Sequence, residues 1–407
     1  MTTSVDAGPW QSRTFTLQLA GTVVSTLGSS AAPVAMAFAI LDAGGSGSAV
    51  GIVSAAGTIP AVLFFLVGGV VADRLPRHLV MIGAGLVSAL AQALFAIVVF
   101  THSARLWEPA VFAAMNGLAM AFYMPAAEGQ LMRSVDRKHA SKAFAIFRTG
   151  LNGAQVAGAA CGGLLVAAAG PGWVLVIDAA TFLVAAGLRA LMRVEGTVRR
   201  RTGLVTELRE GWTEFAGRRW LWSAVVQSAV VNALGVGAFA VLGAVAADRY
   251  LGGAAAWGLV LACDAAGMVL GGLVMVRLRP RRLLVSAVSA LFLLALPLAA
   301  LAAHAPLVVV GAAALLGGVG VEVFGVNWMT TLQQEIPHEK FSRVAAYEAV
   351  GSFGLAPAGA ALAGPAADRF GVGPALWLAS GAILAATVFV LSVPDVRRIK
   401  RTAGDGR

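Results

Sequence analysis

Twelve apolar runs, most of them long enough to cross a lipid bilayer, leave this chain little choice of architecture. They cover residues 14–40, 49–72, 79–101, 107–128, 143–168, 172–192, 220–247, 255–276, 283–303, 306–329, 344–367 and 373–393. An α-helix rises about 1.5 Å per residue, so roughly twenty apolar residues cross the hydrocarbon layer. Inside that layer the backbone must satisfy its own hydrogen bonds, and in single runs of this length only helices do so. At 58% hydrophobic and 12% charged residues, the composition lies outside the range of ordinary globular chains. The expectation is an all-α membrane protein with twelve transmembrane helices. No stretch is left over for a soluble catalytic domain.

The formal charge of +10 would suggest nucleic acid in a soluble chain. Here the basic residues gather between apolar runs, which is the topology signal of a membrane protein, and no nucleic-acid partner is expected. With the N-terminus placed in the cytoplasm, 27 of the 30 lysines and arginines fall on the inner side; Arg105, Arg249 and Arg369 are the exceptions. Both termini are therefore expected to be cytoplasmic, as is the arginine-rich segment Arg193–Arg219. The first residues carry no basic stretch followed by a short apolar core and cleavage site, so the first span itself is expected to direct insertion. Cys161 and Cys263 fall inside predicted spans and read as small buried hydrophobes, not as a disulfide or metal pair.

The two halves repeat. At an offset of 203, Gly68, Gly69 and Arg74 match Gly271, Gly272 and Arg277; at 201, Ser141, Gly158, Ala159, Gly163, Gly170 and Gly172 match Ser342, Gly359, Ala360, Gly364, Gly371 and Gly373. The chain thus divides into two pseudo-symmetric six-helix bundles, 1–192 and 220–394, joined by the loop 193–219 and followed by a tail, 395–407. The acid Asp73 corresponds to Val276, so only the first half carries it.

Between spans 2 and 3 lies GGVVADRLPRH, Gly68 to His78. Its Gly69, Asp73, Arg74, Arg77 and His78 resemble the loop between helices 2 and 3 of the major facilitator superfamily. The resemblance runs the length of the chain: FYMPAAEGQL, IDAATFLVAAGL and NWMTTLQQEIPHEKFSRVAAYEAVGSFGLAPAGAALAGPAADRFG look like the twelve-helix drug-exporter branch that includes macrolide efflux pumps. Two positions depart from that branch. Ala113 stands where an antiporter arginine is often found, and Ala159 where many exporters have proline.

The resemblance implies a gating role for Gly69, Asp73, Arg74 and Arg77. Asp73 would meet the N-terminal end of span 11 near Arg343–Ala346, where the helix dipole favours an anion. Arg77 or Arg74 would pair with Glu128, and Arg148 lies near the inner end of span 5. It also implies that spans 5 and 8 meet between the halves. The small residues Gly150, Ala154, Gly158 and Gly162, at steps of four in span 5, then read either as a sliding surface or as ordinary helix packing.

Acids inside spans need a cavity or a partner, because a charge near mid-bilayer costs about 3 kcal/mol on insertion scales. Glu322, Asp264 and Asp178 are such residues and stand as candidates for proton or cation coupling, with a structural hydrogen bond as the alternative for each. Gln18, Asn116, Gln227, Asn232, Asn327 and Trp328 are candidates for a cavity lining. No phosphate-cradling glycine loop, HExxH, paired cysteines or serine-nucleophile arrangement occurs. An enzyme, a cofactor and a metal are therefore not expected.

The sequence points to a secondary transporter in a bacterial plasma membrane. It would export a small amphiphilic compound by alternating access, with protons as driving ion, the bilayer as solvent and a monomer as the working form. An importer of a small metabolite and a non-transporting sensor or scaffold are the alternatives.

Overall fold

A computed structural model describes residues 9–101, 107–135, 140–192, 212–278, 280–336 and 338–401. Among these there is no strand. Twelve helices are long and apolar enough to cross a membrane: α1 (Arg13–Asp42), α2 (Gly47–Arg74), α3 (Arg77–Phe100), α4 (Trp107–Arg133), α5 (Ala140–Ala169), α6 (Pro171–Ala190), α7 (Arg219–Leu251), α8 (Ala254–Arg277), α9 (Leu283–Ala302), α10 (Leu307–Glu335), α11 (His338–Phe353, continued by Ala356–Phe370) and α12 (Val372–Ser392). The expected spans and the observed helices agree in number and order.

Local chemistry sets the ends. Ser12 caps α1 by accepting from the Phe15 amide at 3.2 Å, and its hydroxyl donates to the Ser134 carbonyl at 2.6 Å. Gly170 and Gly371, equivalent in the repeat, precede α6 and α12 with φ of +86° and +89°, a conformation that side chains disfavour. The run expected over 344–367 is broken at Gly354–Leu355, because Pro357, in the first turn of the second piece, has no amide proton to continue the ladder. In α7 the ladder widens to π geometry over Asn232–Ala238 and again over Ala247–Leu251. At the first of these sites the Asn232 amide donates to the Ser352 carbonyl at 2.9 Å.

The chain forms two compact units. The first comprises Met1–Gly45, Ala56–Arg200 and Gly253–Ala262; the second comprises Ser46–Ala55, Arg201–Gly252 and Cys263–Arg407. In the first, α1 packs on α5 and α6, and α3 on α4 and α6. In the second, α9 packs on α10 and α12, and the π stretch of α7 on the Ala356–Phe370 piece of α11. Ser46–Ala55, which opens α2, falls in the second unit, and Gly253–Ala262, which opens α8, in the first. Ser48 donates to the Asp368 carboxylate within the second, and Gly258 of α8 lies against Gly163 of α5 within the first. Large apolar side chains such as Leu63, Leu183, Val308, Leu362 and Leu378 point outward, as a surface solvated by lipid requires.

Two expectations change. Cys161 is exposed and Cys263 half-buried, so neither is a fully buried hydrophobe; both cysteines are free. The ridge Gly150, Gly158 and Gly162 of α5 faces α1, meeting Leu19 and Val23, then Leu27 and Ser30, then Ala31; it is ordinary packing inside the first unit. Gly163 and Ala159, one position further round α5, are the residues that meet α8. A spacing of four marks a ridge but does not select its neighbour.

Candidate functional site

A cavity of about 430 Å³ lies inside the first unit. Three helices build most of its wall, each with a stripe at helical spacing. From α1 come Thr22, Ser25, Thr26, Ser29 and Ser30; from α4, Met120, Tyr123, Met124, Ala127, Glu128 and Leu131; from α5, Phe144, Phe147, Arg148, Leu151 and Gln155. Ala84, Gly85 and Ser88 of α3 and Phe182 and Arg189 of α6 complete it. One wall is a row of hydroxyls and the others are aromatic and thioether surface, so the cavity is amphiphilic.

Its charged groups occupy different depths. Glu128 and Arg148 are exposed on the lining and act on one another electrostatically. Arg189 is 1% exposed. Its Nη2 donates to the Tyr123 hydroxyl at 2.7 Å, and its guanidinium lies 4.8 Å from the centre of the same ring. The Tyr123 hydroxyl in turn lies 3.2 Å from that of Thr22. Gly21 and Gly85 flank this guanidinium: a Cβ on Gly21 would sit 3.6 Å from its Nε, in ordinary contact. The sequence reading missed Arg189 and Tyr123. Arg189 stands near the C-terminal end of span 6, where the sequence expectation counted it among the inward-facing basic residues; the burial of its side chain is a tertiary fact.

The gating residues are partly in view. Arg77 lies over Gly129, next to Glu128, and its Nε donates to the Ala72 carbonyl at 3.4 Å. Gly69 has open space around it, and Arg74 is exposed. The side chains of Asp73, Arg343, Ala345 and Ala346 lie outside the described residues, and so does the contact expected between them.

The acids inside spans have three different surroundings. Asp178 is fully buried in the first unit, where Gln92 of α3 donates to its Oδ2 at 2.7 Å. Thr181 donates to its backbone carbonyl at 2.7 Å, and Gly28 of α1 leaves room for the acid. Asp264 of α8 is half-buried in the second unit, with no hydrogen bond to its carboxylate among the described residues. Glu322 of α10 is half-buried and leans on Gly271 of α8, whose added Cβ would meet the Glu322 Cβ at 2.9 Å. Glu348 of α11 accepts from the Trp328 indole at 3.2 Å and from the Ser352 hydroxyl at 2.9 Å.

None of the six residues expected to line a cavity lines this one. Gln18 is buried with its amide on the Met81 sulfur at 3.6 Å, and Gln227 is buried with its amide on the Thr387 hydroxyl at 3.0 Å. Asn327 donates to the Val323 carbonyl at 3.0 Å, and Asn116 keeps a buried carbonyl without a partner among the described residues. Asn232 and Trp328 bond to α11 as described above. In lipid a polar group is retained by bonding a neighbouring helix as readily as by facing a cavity, and sequence does not separate the two. The described residues hold no group of three histidines, cysteines or carboxylates able to bind a metal.

The family model described as Major Facilitator Superfamily matches residues 19–359. The multidrug efflux pump Tap of Mycolicibacterium fortuitum is 25% identical over 386 residues, covering 90% of this chain and 92% of that protein. Macrolide efflux protein A of Streptococcus pyogenes is 22% identical over 399 residues, covering 96% and 98%. Among solved structures, a mutant form of the nucleoside transporter NupG superimposes with a TM-score of 0.74 at 13% identity, over 93% of this chain and 99% of that one; another NupG structure gives 0.71 at 11%. Those two structures share the fold. With twelve apolar helices, a repeat of two six-helix halves and a family match across most of its length, the chain is a multi-pass membrane protein that belongs to the Major Facilitator Superfamily.

Proposed function

We propose that the protein exports a small amphiphilic compound from a bacterial cell, with both termini in the cytoplasm and the proton gradient as energy source. The observation that carries this reading is the cavity of the first unit. Its hydroxyl row on α1 faces the Met120, Met124, Phe144 and Phe147 surface of α4 and α5, a lining suited to a ligand with both polar and apolar faces. The two efflux proteins to which the chain is similar along nearly its whole length support export as the direction. In this reading the halves 1–192 and 220–394 alternate between two states, and the Gly69–Arg77 loop biases the equilibrium between them. Asp264 or Glu322 carries the coupling proton. Both are half-buried acids inside spans of the second unit, where a charge near mid-bilayer costs about 3 kcal/mol on insertion scales. Asp178, held by Gln92, has a packing role.

The test is accumulation of a panel of dyes and antibiotics in cells with and without the protein, repeated with an uncoupler. Export predicts lower accumulation with the protein and loss of that difference on uncoupling. Higher accumulation with the protein would make it an importer, and equal accumulation of every compound would remove the transport reading for this panel's chemistry.

A further inference from the structure

We propose that the compound exported is an organic anion: the cavity of the first unit takes an amphiphile bearing a carboxylate, and Arg189 is the group that holds it. This rests on the transport reading above and names its substrate class. Three observations lead to it.

The first is the state of the guanidinium. Arg189 is 1% exposed and lines the cavity, yet among the described residues no carboxylate pairs with it and its buried Nε has no acceptor. A phenol oxygen and a ring face are its partners. Burying a charge without a counter-charge is unfavourable, and a ligand carboxylate would supply what the protein omits. The second observation is charge balance. The other charges on the lining, Glu128 and Arg148, act on one another, so the lining as described carries one uncompensated positive charge, at its buried end.

The third comes from the repeat. At the offset of 201 that aligns the glycines, Tyr123, Glu128, Arg148, Asp178 and Arg189 correspond to Phe324, Met329, Ala349, Ala379 and Val390. Val390 is buried in the apolar core of the second unit, and Phe324 packs against that core. The same pair of positions is therefore filled by two apolar residues of one core in one half and by a guanidinium–phenol pair in the other. The bundle does not require a charge at this place, and neither does topology, because an arginine that only marks the inner face has no need to be buried. What remains is recognition. The Thr22 hydroxyl, 3.2 Å from that of Tyr123, extends the polar patch beside the guanidinium, and Phe147 and Phe182 offer flat apolar surface.

Fluorescein and rhodamine 123 share a xanthene frame; the first presents a free carboxylate and the second is a cationic ester. Binding of each to the purified full-length protein in lipid nanodiscs is read by fluorescence anisotropy. Wild type is expected to prefer fluorescein. Arg189→Gln should weaken fluorescein by about ten- to a hundred-fold, the usual worth of hydrogen bonds to a charged group, and change rhodamine 123 by less than about two-fold. Arg189→Lys, which keeps the charge but not the fork, should fall between. If Arg189→Gln does not fold, the pair Arg189→Val with Tyr123→Phe copies the packing of the second half and serves instead. Equal losses for both dyes, or a wild-type preference for the cation, overturn the proposal. Wild type that exports other compounds but does not bind fluorescein leaves the export reading standing and this inference refuted; wild type that moves no compound at all refutes the export reading itself.

Discussion

Two buried polar residues of the first unit, 1% exposed or less, have opposite hydrogen-bond states. Arg189 meets an acceptor at Nη2 and none at Nε, whereas Asp178 is bonded by Gln92 and fitted into the space left by Gly28. The second pattern is that of a helix-to-helix clasp. Asp178→Ala should therefore lower stability by about 1–3 kcal/mol, because the Gln92 amide loses its acceptor, while Asp178→Asn, which keeps an oxygen there, should cost less. Thermal unfolding of the purified variants reads the difference, and export per folded molecule should stay near wild type in both. Loss of gradient-driven export at wild-type stability would instead make Asp178 a coupling residue. At this scale the sequence was a partial guide. It flagged Asp178, Asp264 and Glu322, since an acid well inside an apolar run is conspicuous, but it passed over Arg189, since an arginine near the end of a span is the ordinary case. Gln18, Gln227 and Asn327, expected to line a cavity, are absent from the lining of this one and bond to neighbouring side chains or their own helix.

Among elements, the helices themselves were legible and their partners were not. Runs of apolar residues fix where a span lies, and the basic residues and prolines near the ends fix its limits to within a few positions. The π stretch at Asn232–Ala238 had no such signature. It arises where α7 packs against α11, with the Ala233 carbonyl against Gly359, a tertiary contact that no local pattern encodes. The ridge on α5 makes the same point and offers a graded test. A methyl at Gly150 would meet only the flexible ends of Leu19 and Val23, at 3.1 and 3.2 Å, whereas one at Gly158 would overlap the Leu27 carbonyl of α1. Gly150→Ala should leave the unfolding temperature of the purified protein nearly unchanged. Gly158→Ala should lower it by several degrees, since backbone must move apart. Equal effects at the two sites would contradict the packing of α5 on α1.

For the whole molecule, orientation and cycle remain to be joined to chemistry. The placement of basic residues predicts that Ala43 faces outward and Arg398 inward. In a background with Cys161 and Cys263 replaced, an impermeant thiol reagent applied to intact cells should label Ala43→Cys and miss Arg398→Cys; the reverse would invert the topology. Asp73→Asn should keep abundance in the membrane while turnover falls by roughly two- to thirty-fold, the range set by losing an anion at a helix end, and unchanged turnover would remove the gating role. The repeat explains why so much of the architecture could be read and so little of the chemistry. Matching glycines recur in both halves, whereas Asp73, Tyr123, Arg148, Asp178 and Arg189 occur in one half only. The central claim, export coupled to protons, is tested most directly in proteoliposomes. An imposed pH gradient and an exported dye identified in the cell assay are followed together, with Glu322→Gln and Asp264→Asn run beside wild type. The account predicts dye movement opposite to proton flow in wild type, and at least one variant that exchanges dye downhill but no longer against its gradient. Dye flux that ignores the pH gradient, or both variants coupled as wild type, would contradict it.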